Sequence, residues 1–128
     1  MKIAYGKLIK ESLKARSSSY SPYSKFKVGA AILTSGGGIF TGANIECASY
    51  SITICAERVA AAKAVSEKHR KFSAIAISSS GREFAYPCGA CLQFLYEFCD
   101  DMTVFLVKSE KIFEEYKLSQ LLPKQFHL

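Results

Sequence analysis

The sequence predicts an α/β fold in which one sheet is covered by helices on both faces. Three observations carry that expectation. Segments of helical period alternate with short apolar, partly β-branched runs. The first two of those runs follow one another through a glycine turn, as the strands of a hairpin do. The last two each follow a helix, which predicts right-handed crossovers between parallel strands.

Taken in order, residues 3–16 place Tyr5, Leu8, Ile9, Leu13 and Arg16 at spacings of three and four, the stripe of an amphipathic helix. The serine run that follows, with Pro22, stops it. "KFKVGAAILT" (25–34), "SGGG" and "IFTGANIECA" (39–48) read as strand, turn and strand, with the register left open because the glycine cluster is longer than a two-residue turn. From Cys55 to about His69, Ala and Val recur at helical spacing with few charges, so this helix is expected to be largely buried. "KHRK" (68–71) is expected to close it, since cations suit the negative end of a helix dipole. "KFSAIAISS" (71–79) is a short apolar strand, and Pro87 precedes a helix from about Cys88 to Cys99. "MTVFLVKS" (102–109) is the last strand, and "KLSQLLP" a short helix ended by Pro123.

Bulk properties narrow the function classes. A chain of 128 residues is expected to form one domain, residues 1–128, and to bury about two-thirds of its unfolded surface. It therefore has no need of disulfides. The N-terminal residues carry charges throughout and do not read as a secretory signal, and no apolar run approaches the roughly 20 residues of a membrane span. The expectation is a soluble cytoplasmic protein without a membrane partner, in which cysteines persist as thiols or metal ligands. Five cysteines, an odd number, also argue against a disulfide framework. The formal charge of +6 is spread along the chain rather than gathered, so it gives no footprint for nucleic acid.

The chemistry concentrates in "CAERVA" (55–60) and "YPCGACLQF" (86–94). Cys88 and Cys91 have the C-x-x-C spacing that lets two thiolates of one turn grip a Zn²⁺, and Cys55 can supply a third from another helix start. Helix N-termini favour the thiolate form. Cys99 stands about 12 Å beyond Cys91 along a helix, Cys47 reaches only if its strand end meets the metal, and His69 and His127 are distant in sequence. The fourth position is then left to water, the mark of a catalytic rather than a structural zinc. Glu57, two residues past Cys55 in an otherwise apolar helix, can take a proton and hand it to a substrate. Alone it would be read as an acid complementing a helix start.

These motifs carry a specific resemblance. C-A-E-R followed by P-C-G-A-C-L-Q is similar to the three-cysteine form of the zinc-dependent nucleoside and nucleobase deaminase signature. More narrowly, "YSPYSKFKVGAAI", "TGANIECASY", "ICAERVAAAKAV", "YPCGACLQ" and "LLPKQF" resemble, in order and spacing, the small homotetrameric cytidine deaminases. The resemblance implies a three-layer α-β-α sandwich with a mixed, roughly five-stranded sheet. It implies zinc ligands Cys55, Cys88 and Cys91, Glu57 as proton carrier, and hydrolytic deamination of cytidine and deoxycytidine with no redox or organic cofactor. Three thiolates leave the zinc centre with a net negative charge, and Arg58 is the expected compensating donor to the sulfurs. Asn44 and Glu46, two apart on a strand and hence on one face, are implied for the ribose hydroxyls. Phe26 matches the aromatic that flanks the pyrimidine. The backbone of Ala56 and the side chain of Gln93 belong by analogy to the same pocket. Phe126 corresponds to an aromatic that enters a neighbouring subunit's site, so a homotetramer with shared sites is implied.

Two positions depart from the family pattern: Leu92 stands where Arg is common, and Cys47 where a second Asn is common. Neither is a ligand. The rival functions are deamination of a related aminopyrimidine such as a nucleoside antibiotic, nucleic-acid editing or binding, and a zinc-stapled module without activity.

Overall fold

The computed structural model describes residues 2–128. Its elements run α1 (Lys2–Ala15), β1 (Val28–Thr34), β2 (Ile39–Ala43), α2 (Ala56–Ser66), β3 (Phe72–Ser79), α3 (Gly89–Tyr96), β4 (Thr103–Val107), β5 (Phe113–Lys117) and α4 (Leu118–Leu121). The five strands form one sheet in the order β2-β1-β3-β4-β5. β1 is antiparallel to both β2 and β3, β3 and β4 are parallel, and β5 closes the far edge antiparallel to β4. The sheet is therefore mixed, as the resemblance implies. β2 and β3 run in the same direction, as the helix between them predicts, but β1 lies between them.

Alternation along the strands builds two cores. Ala30, Ile32, Ile75, Ile77, Val104 and Leu106 face α2, α3 and α4, meeting Ala56, Ala60, Ala61, Ala64, Leu92 and Leu95. Ala31, Ala74, Ala76, Phe105 and Val107 face the other way, onto Leu8 and Ile9 of α1. The small residues under α1 let helix and sheet approach closely. A Cβ on Gly29 would lie 2.3 Å from the carbonyl oxygen of Ser12, and Ser78 Oγ donates to that same carbonyl at 2.7 Å. Among the described residues no helix is long and apolar enough to cross a membrane.

The boundaries differ from the sequence expectation for local reasons. β1 begins at Val28 rather than Lys25, because Lys25 adopts a left-handed backbone (φ 62°) that no strand continues. The hairpin register, open in the sequence, pairs Leu33 with Ile39, and its turn needs Gly37 at φ 93°. α2 stops at Ser66, short of His69. Lys68 is left-handed (φ 71°) and the His69 N–H returns to the carbonyl of Ala64 at 2.9 Å, so the basic run follows the helix end. β5 was not read from its residues. Three of the five residues of "FEEYK" are charged, and only its place at a sheet edge, with alternate residues exposed, lets it pair.

A second close approach bears on function. A Cβ added at Gly42 would sit 2.5 Å from the backbone nitrogen of Ala60 and 2.6 Å from the carbonyl of Ala56. These are rigid backbone atoms of the first turns of α2, the turns that carry Cys55 and Glu57. Gly42→Ala is expected to destabilise the protein by about 1–3 kcal/mol through overpacking. It is also expected to lower activity by displacing the start of α2, which thermal melting beside an activity assay would check.

Candidate metal centre and active site

Two helix starts converge beside the inner strands β1 and β3 of the sheet. Cys55 is the N-cap of α2 and Cys88 the N-cap of α3, each with extended backbone, and Cys91 lies in the first turn of α3. Their three Sγ atoms all lie within 4.8 Å of one another. In a tetrahedral site with bonds near 2.3 Å, thiolate sulfurs stand about 3.8 Å apart, so the spacing fits a zinc ion. Among the described residues no other His, Cys, Asp or Glu joins the group. The donor set is thus one turn's pair plus one sulfur from a second helix.

The protonation of the sulfurs supports the same fit. The Cys55 thiol is pushed down to about 5, because Cys91 donates to its sulfur and the Arg58 guanidinium adds donors and positive charge. Cys91 is held far above the ordinary thiol range, because it is that donor to Cys55 and because it is buried. Three thiols this close oppose one another's ionisation. A divalent ion removes that conflict and suits three thiolates. Arg58, three residues along α2 from Cys55, aims Nη2 at Cys55 Sγ across 3.6 Å. Its buried Nε has no partner, the one such side-chain atom among the described residues. The guanidinium is thus held against the sulfur cluster, where negative charge would be densest.

Glu57 sits in the first turn of α2 and is only 5% exposed. Burial pushes its carboxyl up to about 7, with the Cys55 charge adding to the rise and Arg58 opposing it. A carboxyl poised there can both accept and release a proton near neutrality. It lines a 230 Å³ cavity together with Cys55, Cys88, Ala56, Phe26 and Asn44. A larger hollow of 560 Å³ lies between α3 and the C-terminal tail, but it contains none of the clustered sulfurs and not Glu57. The reactive groups lie in the smaller, more apolar space.

The expected substrate-binding residues divide between these places. Phe26 packs so closely on Gly81 that a Cβ there would come within 2.8 Å of its ring, and it stands in the cavity wall. Asn44 and Glu46 are not on a strand, contrary to expectation, because β2 ends at Ala43. Beyond it the Asn44 side chain takes over the ladder's work. Its amide donates to the Phe26 carbonyl at 2.8 Å and its oxygen accepts from the Val28 N–H at 3.0 Å. Both residues are still buried on the side of segment 19–28. The Glu46 carboxylate accepts the N–H groups of Tyr23 and Ser24, each at 3.1 Å, and the Ser24 hydroxyl. These bonds, the Ser24 hydroxyl first, hold its carboxyl below the ordinary range. Gln93 and Phe126 are brought together with each other, in the larger hollow, and not with Glu57 in the same chain.

Leu92 is buried in the core beside Leu95, so this chain uses the variant position for packing. Cys47 is half-buried, and its N–H donates to Thr53 Oγ1 at 3.1 Å. Sequence reasoning gave no role to Tyr86, which lines the cavity and donates to Glu114 at 3.2 Å. Its place directly before Pro87 and Cys88 was the available signal.

Comparison with known proteins agrees with this geometry. Residues 4–107 match the cytidine and deoxycytidylate deaminase zinc-binding region. The cytidine deaminase of Sporosarcina psychrophila is 49% identical over 121 residues, 94% of this chain and 89% of the relative. That of Halalkalibacterium halodurans is 47% identical over 120 residues, covering 93% and 91%. The crystal structure of the cytidine deaminase of Burkholderia pseudomallei superposes with a TM-score of 0.88 at 38% identity, covering 94% of this chain and 97% of that one. The fold, the three-sulfur cluster and these likenesses place the chain in the cytidine and deoxycytidylate deaminase family of zinc-binding proteins.

Proposed function

We propose that this chain catalyses the hydrolytic deamination of cytidine and deoxycytidine to uridine and deoxyuridine, with release of ammonia. The observation that carries the reading is the buried Glu57 carboxyl in one small cavity with two sulfurs of a three-thiol cluster. Cys55, Cys88 and Cys91 would hold the zinc ion, which when bound supplies Lewis-acid activation of water. The remaining steps belong to the chain. Glu57 accepts the proton that water gives up as its oxygen bonds to C4, and passes it to N3 of the pyrimidine. Glu57 then takes the remaining proton from the new C4 hydroxyl and delivers it to the amine, so that the C4–N bond breaks, ammonia leaves and a carbonyl remains at C4. Phe26 stacks against the base, and the walls formed by Ala56 and Val28 exclude water from its apolar edge.

Asn44 and Glu46 are assigned to the ribose hydroxyls. Asn44 reaches the cavity while still holding the backbone on either side of Lys27, so the sugar-binding amide and the stacking ring are positioned as one unit. A free base would forgo that half of the site. Cytidine and deoxycytidine are expected to lose absorbance near the cytosine maximum when mixed with the zinc-loaded protein, whereas cytosine reacts poorly. Equal turnover of cytosine and cytidine would overturn the nucleoside assignment.

Arg58 is assigned to the sulfurs as a charge-compensating donor. Arg58→Gln removes the charge and, being shorter, withdraws the donor that faces Cys55 Sγ. It is expected to weaken zinc binding by about 10–100-fold, read by competition with a chelator.

The chain is also assigned a homotetrameric assembly whose sites are shared. Tyr20, Tyr23, Ile45, Tyr50, Ile52 and Ile54 leave 40–65% of their surfaces exposed on segments joined by the Tyr20–Ile45 and Ile45–Ile54 bridges and the Tyr23–Tyr50 ring contact, an apolar patch that points to an interface. Phe126, 69% exposed near the C-terminus, is assigned to a neighbouring copy's cavity. Light scattering on the purified protein tests the state directly, and a monomer that turns over cytidine at full rate would exclude shared sites.

A further inference from the structure

Gln93 resembles, in sequence, a residue of the substrate pocket, yet its amide is already committed. Nε2 donates to the carbonyl of Phe126 at 2.9 Å, and the Phe126 N–H donates to Oε1 at 2.9 Å. One side-chain amide thus engages both backbone groups of a single residue, as a neighbouring β-strand would, across 33 positions of sequence. Among the described residues, these two bonds are the hydrogen bonds that tie residues 123–128 to the rest of the chain. Gln93 stands on α3, two residues past Cys91, so the tail is fastened to the helix that carries two of the three clustered sulfurs. The clamp holds the backbone of Phe126 while the residue as a whole remains 69% exposed.

We propose that Gln93 is a positioning residue that acts through Phe126: it fixes the tail on α3 so that the ring is presented, already oriented, to a second copy's cavity. The inference rests on the reading that Phe126 completes a neighbouring site. Its physical content is preorganisation. A segment fastened by so few hydrogen bonds otherwise samples many conformations, and ordering it on assembly would weaken each shared site.

The test uses the full-length, zinc-loaded protein in three measurements. First, carboxypeptidase should remove the last residues of Gln93→Ala faster than those of the parent. Second, Gln93→Ala should raise KM for cytidine roughly tenfold while kcat stays within about twofold, the scale of two lost hydrogen bonds. Gln93→Glu, which keeps the acceptor and the size but not the donor, should fall between the two in both readouts. Third, in a Phe126→Ala background, Gln93→Ala should add nothing further to KM. An equal KM increase with and without the Phe126 ring would mean that Gln93 meets substrate itself, and the proposal fails. Unchanged tail digestion in both Gln93 variants also overturns it. Because digestion needs no turnover, it judges the clamp even if cytidine proves not to be the substrate.

Discussion

Replacing Glu57 by glutamine is expected to lower kcat for cytidine by about 10²–10⁴-fold while leaving one zinc ion per chain. The substitution keeps the shape of a side chain that is 95% buried, so the packing at the start of α2 has no reason to change. What it removes is titration. Burial brings the glutamate to about 7, where it can carry a proton from water to the ring nitrogen and then to the leaving amine. An amide can do neither. Metal analysis and steady-state kinetics on the same preparation separate the roles. Lost zinc would show that Glu57 is part of the metal site, and retained activity would remove it from the mechanism.

The second large effect is expected at Cys91. Cys91→Ser replaces a fully buried sulfur by a smaller, harder oxygen that remains a neutral hydroxyl at pH 7. Two of the three clustered sulfurs are left, too few to keep the grip of three thiolates. Zinc is expected to fall from about one per chain to near zero after dialysis, with turnover falling alongside it. The companion change Cys99→Ser supplies the control. Cys99, just past the end of α3, donates to the Leu95 carbonyl and lies outside the sulfur cluster, so the zinc content of Cys99→Ser should match that of the parent. If Cys91→Ser holds its metal as firmly as Cys99→Ser does, the ligand assignment is wrong.

Much of the site was legible because its chemistry is local. C-x-x-C places two sulfurs on one turn, and Glu57 and Arg58 stand at fixed offsets from Cys55 in the first turn of the same helix. Only the meeting of the two helix starts needed the fold. The pair proposed for the sugar hydroxyls was less legible. Alternation put Asn44 and Glu46 on a strand, but β2 ends one residue earlier, and both side chains instead hold the segment from Ser19 to Val28. That outcome depends on partners some 16–25 positions away, which spacing does not reveal. Gln93 shows the same limit more sharply, since its partner lies 33 residues downstream.

By itself, then, the order of residues determined the helix starts, the apolar strands at the centre of the sheet, the three sulfurs and the buried acid. Each follows from interactions within a few residues or from the demand that apolar faces leave water. The tertiary structure alone decided that β1 would part β2 from β3 and that a charged segment would serve as the edge strand β5. It also decided that Gln93 would hold the tail rather than line the cavity. Those choices turn on which distant backbone groups find partners once the sheet has closed, and a buried polar group accepts whichever partner the packing brings.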